Sequence, residues 1–154
     1  MKIYLDFDGT IVEHQYPKMG KPNFGCIEVI KKLQDAGHEI ILNSYRADCN
    51  DGTLEEARKL LNEQYLKLLK NPELIDHFRI EPITKFARNK LIPSKWDMEL
   101  FKTKNLMFID DKSAGIPLKK AVWSHSLMVD WDVIDAQFLE HGMYEMTLDI
   151  AAKY

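Results

Sequence analysis

The run Asp6-Phe7-Asp8-Gly9-Thr10 places two carboxylates two positions apart, directly after Lys2-Ile3-Tyr4-Leu5. Carboxylates held that close repel, by about 4 kcal/mol at ~4 Å in an effective dielectric of about 20, so a cation is expected beside them. A second acidic pair, Asp110-Asp111, follows Leu106-Met107-Phe108-Ile109, and Ser44 follows Glu39-Ile40-Ile41-Leu42-Asn43. Oxygen ligands alone suit a hard cation, and Mg²⁺ is the usual one where carboxylates meet a phosphate. In such a set one carboxylate can attack phosphorus and form an aspartyl phosphate. An acid two residues on can protonate the leaving oxygen and then activate water. A serine hydroxyl beside backbone N–H groups suits a phosphate oxygen. Surface turns rich in Asp and Gly are common; the order of these groups, each after an apolar run, is what singles them out.

Strands must bring them together. Residues 2–5, 39–43 and 106–109 read as short buried strands, Phe78-Arg79-Ile80-Glu81 as a further one stopped by Pro82, and 123–129 as the last. Ile27, Ile30 and Leu33 recur every three residues, which predicts a helix from Cys26 to Gly37 with Lys31 and Lys32 facing outward. Thr53 with Glu56 has capping-box form and predicts a helix running to Asn71-Pro72; Asp132 to Glu140 predicts another before Gly142. Strands alternating with helices predict an α/β fold, a mostly parallel sheet with helices on both faces. Parallel strands present their carboxyl ends along one edge, where ligands bind in open α/β sheets.

At 154 residues the chain is expected to form a single domain, 1–154. A net charge of −3 without a basic block gives no sign of a nucleic-acid surface, and no apolar run approaches a membrane span. Cys26 and Cys49 make neither a disulfide framework nor a zinc motif. With no signal region at the amino terminus, a reducing cytoplasm is the expected location.

These motifs resemble the haloacid dehalogenase (HAD) superfamily, in particular its small capless phosphatases. Asp6-Phe7-Asp8-Gly9-Thr10 matches the first family motif, Asn43-Ser44 the second, and Phe108-Ile109-Asp110-Asp111 the acidic fourth in its paired form. Similarity extends over Lys2 to Pro117. It implies a Rossmann-like, HAD-like fold and Mg²⁺-dependent phosphoryl transfer. By matched position Asp6 is the nucleophile and a metal ligand, and Asp8 is the general acid/base whose carbonyl also binds metal. Ser44 binds the phosphoryl group, and Asp110 and Asp111 complete the metal site. The family's third motif is a lysine before the last of these strands. Lys102, eight positions before Asp110, is the expected residue, with Lys104 the near alternative and Lys90 or Lys95 behind them. An acid at position 8 favours a phosphatase over the ATPase branch. The short interval from Asp8 to Ser44 leaves no room for a large cap, while residues 72–100 have room for a small insertion.

Gly9, Thr10, Asn43 and Arg46 are the expected substrate-binding residues, Arg46 as a clamp on a second anionic group. Lys18, Lys21 and His14 lie in a loop near the same edge. Trp96, Trp123 and Trp131 read as packing residues. The expected partner is a small phosphorylated substrate, a nucleotide or nucleic-acid end among the options, with no membrane and no protein partner. The rival functions are a non-catalytic phospho-receiver, which places its acids differently, and a binding domain that kept only the fold.

Overall fold

The computed structural model describes residues 1–64, 82–122 and 124–145. Strands β1 (Lys2–Leu5), β2 (Glu39–Leu42) and β3 (Leu106–Ile109) form a parallel sheet in the order β2-β1-β3. Helix α1 (Cys26–Asp35) carries the chain from β1 to β2 and packs against β2. A short turn of helix, α2 (Arg46–Cys49), follows β2, and α3 (Thr53–Lys59) continues as a wider π turn over Leu60–Gln64. Helix α4 (Met98–Lys104) leads into β3, which it packs against. Strands β4 (Leu118–Lys120) and β5 (Leu127–Val129) precede α5 (Trp131–Glu140), which meets α1. The arrangement is mixed α/β, of a Rossmann-like kind.

Register decides what the sheet edge carries. Leu5 lies beside Leu42 on one side and Ile109 on the other. The ladder continues one residue further, with Asp6 N–H donating to the Ile109 carbonyl (2.9 Å) and Asn43 N–H to that of Leu5 (2.7 Å). Asp6, Asn43 and Asp110 therefore stand in one row across three strands. Beneath them Ile3, Leu5, Leu42, Met107 and Ile109 are buried. No helix among the described residues is long and apolar enough to cross a membrane.

Several expectations need correcting. The strand expected over 123–129 forms only at Leu127–Val129, and it pairs antiparallel with β4 in a separate ribbon instead of extending the sheet. Lys31 is buried, because α1 also buries Cys26 and Val29 and so turns a broader face inward than a three-residue stripe suggests. Gly52, not Thr53, is the N-cap of α3. The carboxylate that caps its first turn is Asp51, which accepts from Thr53 N–H (3.0 Å) and Thr53 Oγ1 (2.6 Å). The expected strand at 78–81 and the end of the helix at 71–72 lie outside the described residues, as does Trp123. Residues 82–97 hold no helix and no strand longer than the single bridge of Phe86 to Leu42. Between Asp8 and Ser44 the chain forms a loop, α1 and β2. Gly37 takes the expected left-handed conformation (φ +89°), and Cys26 and Cys49 are free thiols.

Candidate functional site

Beyond β1 the chain folds back on itself, the Phe7 carbonyl accepting the N–H of Ile11 at 2.8 Å. This turn returns Thr10 to Asp6. Thr10 Oγ1 donates to Asp6 Oδ2 (3.1 Å) and accepts from Asp111 N–H (3.2 Å), tying the first acidic segment to the second. Gly9 has φ +83°, and a Cβ there would lie 2.3 Å from Asp111 Oδ2, so only glycine lets that carboxylate approach. Oxygens of Asp6, Asp110 and Asp111 come within 4.8 Å of one another.

Among the described residues, the lysine in ion-pair contact with them is Lys90. Its Nζ lies 3.0 Å from Asp6 Oδ1 and 3.2 Å from Asp110 Oδ2. Lys102, expected here, is exposed on the last turn of α4, and Lys104 and Lys95 are exposed too. Lys90 arrives through the irregular segment that runs along the outer edge of β2. Leu42 N–H donates to the Lys85 carbonyl (3.0 Å), and Ala87 N–H donates to that of Leu42 (2.9 Å). The Asn43 side chain then grips Leu91, Nδ2 donating to its carbonyl (3.0 Å) and Oδ1 accepting its N–H (2.7 Å). Asn43 is thus a bracket for the neighbouring lysine rather than a group presented to substrate.

Arg46 is likewise placed differently from the substrate clamp expected. Its guanidinium is fully buried and grips Asp8 with a fork, Nε to Oδ2 at 2.7 Å and Nη2 to Oδ1 at 2.8 Å. Nη2 also donates to the Lys18 carbonyl (2.9 Å), and the group lies 5.2 Å from the ring centroids of Phe7 and Tyr16. Ser44 is buried beside it, Oγ accepting the Arg46 backbone N–H at 3.2 Å. Thr10 is buried as well and serves the two acids.

The charges are uneven. Burial, then the Asp110 carboxylate, hold the Asp6 carboxyl well above its usual range against the pull of Lys90. Asp111 is raised too, by burial first. Burial alone would push the Lys90 ammonium down, but Asp6 and Asp110 outweigh it and hold it up. Asp6 and Asp110 thus share the Lys90 ammonium, while Asp111 feels the charge of Lys112. Asp110 Oδ1 accepts the Lys112 N–H (2.9 Å), and its buried Oδ2 faces the Lys90 ammonium at 3.2 Å. An all-oxygen set of three carboxylates within 4.8 Å of one another fits a hard divalent cation. The side chains to hold it are Asp6, Asp110 and Asp111; Arg46 engages the Asp8 carboxylate, which leaves the backbone carbonyl as the Asp8 group expected at the metal.

Asp6 and Asp111 open into a cavity of about 250 Å³, lined also by Asp8, His14, Tyr16, Tyr45, Lys90 and Lys112. His14 was read as a loop residue near this edge; Tyr16, Tyr45 and Lys112 were not singled out, although Tyr45 and Lys112 each adjoin a residue that was. Lys18 and Lys21 are not part of this lining. Trp131 is a packing residue, buried with Nε1 on the Thr10 carbonyl (2.8 Å), and Trp96 is buried with Nε1 on Gln137 (2.8 Å).

No protein-family model matches this chain, and no curated protein does. Among solved structures it is similar to the conserved protein coded by a locus from Bacteroides thetaiotaomicron, with 29% identity and a TM-score of 0.52. The match covers 91% of this chain and 90% of that one, so the likeness runs through the whole fold and not through the acidic motifs alone.

Proposed function

We propose that the protein is a Mg²⁺-dependent phosphomonoester phosphatase of the haloacid dehalogenase kind, acting through an aspartyl phosphate on Asp6. The observation that carries this reading is the meeting of Asp6, Asp110 and Asp111 within 4.8 Å, with Lys90 Nζ 3.0 Å from the Asp6 carboxylate. An oxygen of Asp6 attacks phosphorus, forming one P–O bond as the ester P–O bond breaks. Asp8, in its protonated form, gives its proton to the leaving oxygen. It then takes a proton from the water whose oxygen displaces Asp6, releasing inorganic phosphate. Asp8 works from within the Arg46 fork, because a protonated carboxyl keeps one O–H to donate and acceptor capacity for both fork hydrogen bonds. Ser44 Oγ accepts from Arg46 N–H, which leaves its own O–H to donate to a phosphoryl oxygen. Lys90 offsets charge gathered between nucleophile and phosphoryl group. Mg²⁺, when bound by the three acids, supplies further stabilisation of that charge.

The test is phosphate release from p-nitrophenyl phosphate by wild type and Asp6→Asn, each with Mg²⁺ and with EDTA. Wild type should need Mg²⁺, and Asp6→Asn should keep less than about one per cent of its rate, since loss of a nucleophile is among the costliest single changes. A rate indifferent to EDTA, or largely retained by Asp6→Asn, would refute the mechanism. Mg²⁺ binding without turnover of any phosphate ester would favour the binding-domain alternative.

A further inference from the structure

The cavity that holds the acids also holds two tyrosines the phosphoryl chemistry does not use. Tyr45 lies between Ser44 and Arg46, both buried, yet is itself 58% exposed. Single exposed rings are ordinary. This one shares a cavity with Asp6, Asp8 and Lys90, and its ring is braced along one edge by Tyr16. Its carbonyl accepts the Asp48 N–H at 2.9 Å. Its ring meets that of Tyr16 edge-on, with centroids 5.8 Å apart. Tyr16 is anchored in turn, its hydroxyl donating to Cys49 Sγ (2.9 Å) and its ring lying 5.2 Å from the Arg46 guanidinium. The hydrogen bond to Cys49, with burial and Asp51, pushes the Tyr16 phenol up to about 12, so it stays a neutral donor and the anchor persists. A ring braced along one edge has less freedom to lose on binding a ligand than an unbraced one. The volume of about 250 Å³ lies just below the ~300 Å³ at which pockets for whole drug-sized ligands begin, enough for a phosphate and part of a flat group.

Building on the phosphatase reading, we propose that Tyr45 is a stacking platform. The substrate class is then a phosphomonoester whose leaving group carries a planar ring of nucleobase kind, as in a nucleoside monophosphate. Lys112 and His14, lining the same cavity, offer polar contacts at its margin.

Adenosine 5′-monophosphate and ribose 5-phosphate share sugar and phosphate and differ only in the base. Their kcat/KM ratio therefore isolates stacking from phosphoryl transfer. Wild type should prefer the nucleotide by about tenfold, the scale of one base on one aromatic ring. The ratio should fall towards one in Tyr45→Ala and survive in Tyr45→Phe. Equal rates in wild type, or a ratio unmoved by Tyr45→Ala, would overturn the platform while leaving the phosphatase intact. If neither ester is hydrolysed, the activity reading fails and the platform is judged by calorimetric binding of the same two compounds with Mg²⁺. A tenfold preference for the nucleotide, lost in Tyr45→Ala, would then support it; equal or undetectable affinities would end it.

Discussion

Asp6 and Asp8 leave the same strand two residues apart and enter opposite surroundings. On the Asp6 side, three carboxylates come within 4.8 Å of one another, and Lys90 pairs with two of them, Asp6 and Asp110. On the Asp8 side, a buried guanidinium answers one carboxylate with two short hydrogen bonds, and two aromatic rings flank it. The first side is an unbalanced charge distribution awaiting a ligand. The second is balanced within the protein, and it fixes the loop at Lys18 to the end of β2 through Arg46. Alternating residues of one motif thus meet different cations, and Asp8 joins an architectural contact with Arg46 to its proposed role in proton transfer.

If that contrast is correct, removing Lys90 should damage the chemistry and leave the fold intact, whereas removing Arg46 should cost stability as well. Lys90→Ala is expected to lower kcat/KM by about 10²–10³, the range for losing one preorganised electrostatic partner of a transition state. Lys102→Ala should change it less than about twofold, as exposed residues away from a site usually do. Comparable losses in both variants would remove the special standing of Lys90.

That pair of variants also marks what could be read in advance. The acids, Ser44 and the sheet were legible because short apolar runs ending in polar residues are a local signal, and in-register parallel pairing turns it into one row of groups. Lys90 was not. It stands in a stretch without hydrophobic period, and its place depends on the Asn43 side chain gripping Leu91, 48 residues away in sequence. Counting back from Asp110 led to Lys102, which α4 turns to solvent. Arg46 was legible as a cation near the edge, but nothing local indicated that Asp8 would engage its guanidinium.

Arg46→Ala should leave Asp8 without its cation in a setting where its side chain is only 11% exposed. Breaking such a pair costs about 3–5 kcal/mol, measurable by denaturant unfolding. A loss under about 1 kcal/mol would place Arg46 among surface pairs and dissolve the contrast between the two sides.

A smaller effect sharpens the same point. Lys90 and Lys31 are both substantially buried, yet their ammonium groups shift in opposite directions. Lys90 is held up by carboxylates in contact; Lys31 is lowered from 10.5 to about 8 by burial, which Asp35 and Glu28 only partly oppose. The unfolded chain keeps the Lys31 proton to higher pH than the folded chain does. Its contribution to stability is therefore fully present above pH 10.5 and is lost as pH falls to about 8. Lys31→Met should raise Tm at pH 7 by about 2–4 °C, equivalent to roughly 1 kcal/mol in a chain of this size. That advantage should shrink between pH 8 and 10.5. A constant difference across that range would mean that the charge on Lys31 is already compensated.

The central claim, that the Asp6 side is built to take up a divalent cation, is tested most directly by thermal unfolding in EDTA and across a Mg²⁺ titration. Binding to the folded state alone adds about 2.7 kcal/mol at one hundred times Kd. Wild type should therefore melt progressively higher with Mg²⁺, while Asp110→Asn should show little or no response. A Tm that stays fixed from EDTA to tens of millimolar Mg²⁺, or rises equally in both proteins, would contradict the account.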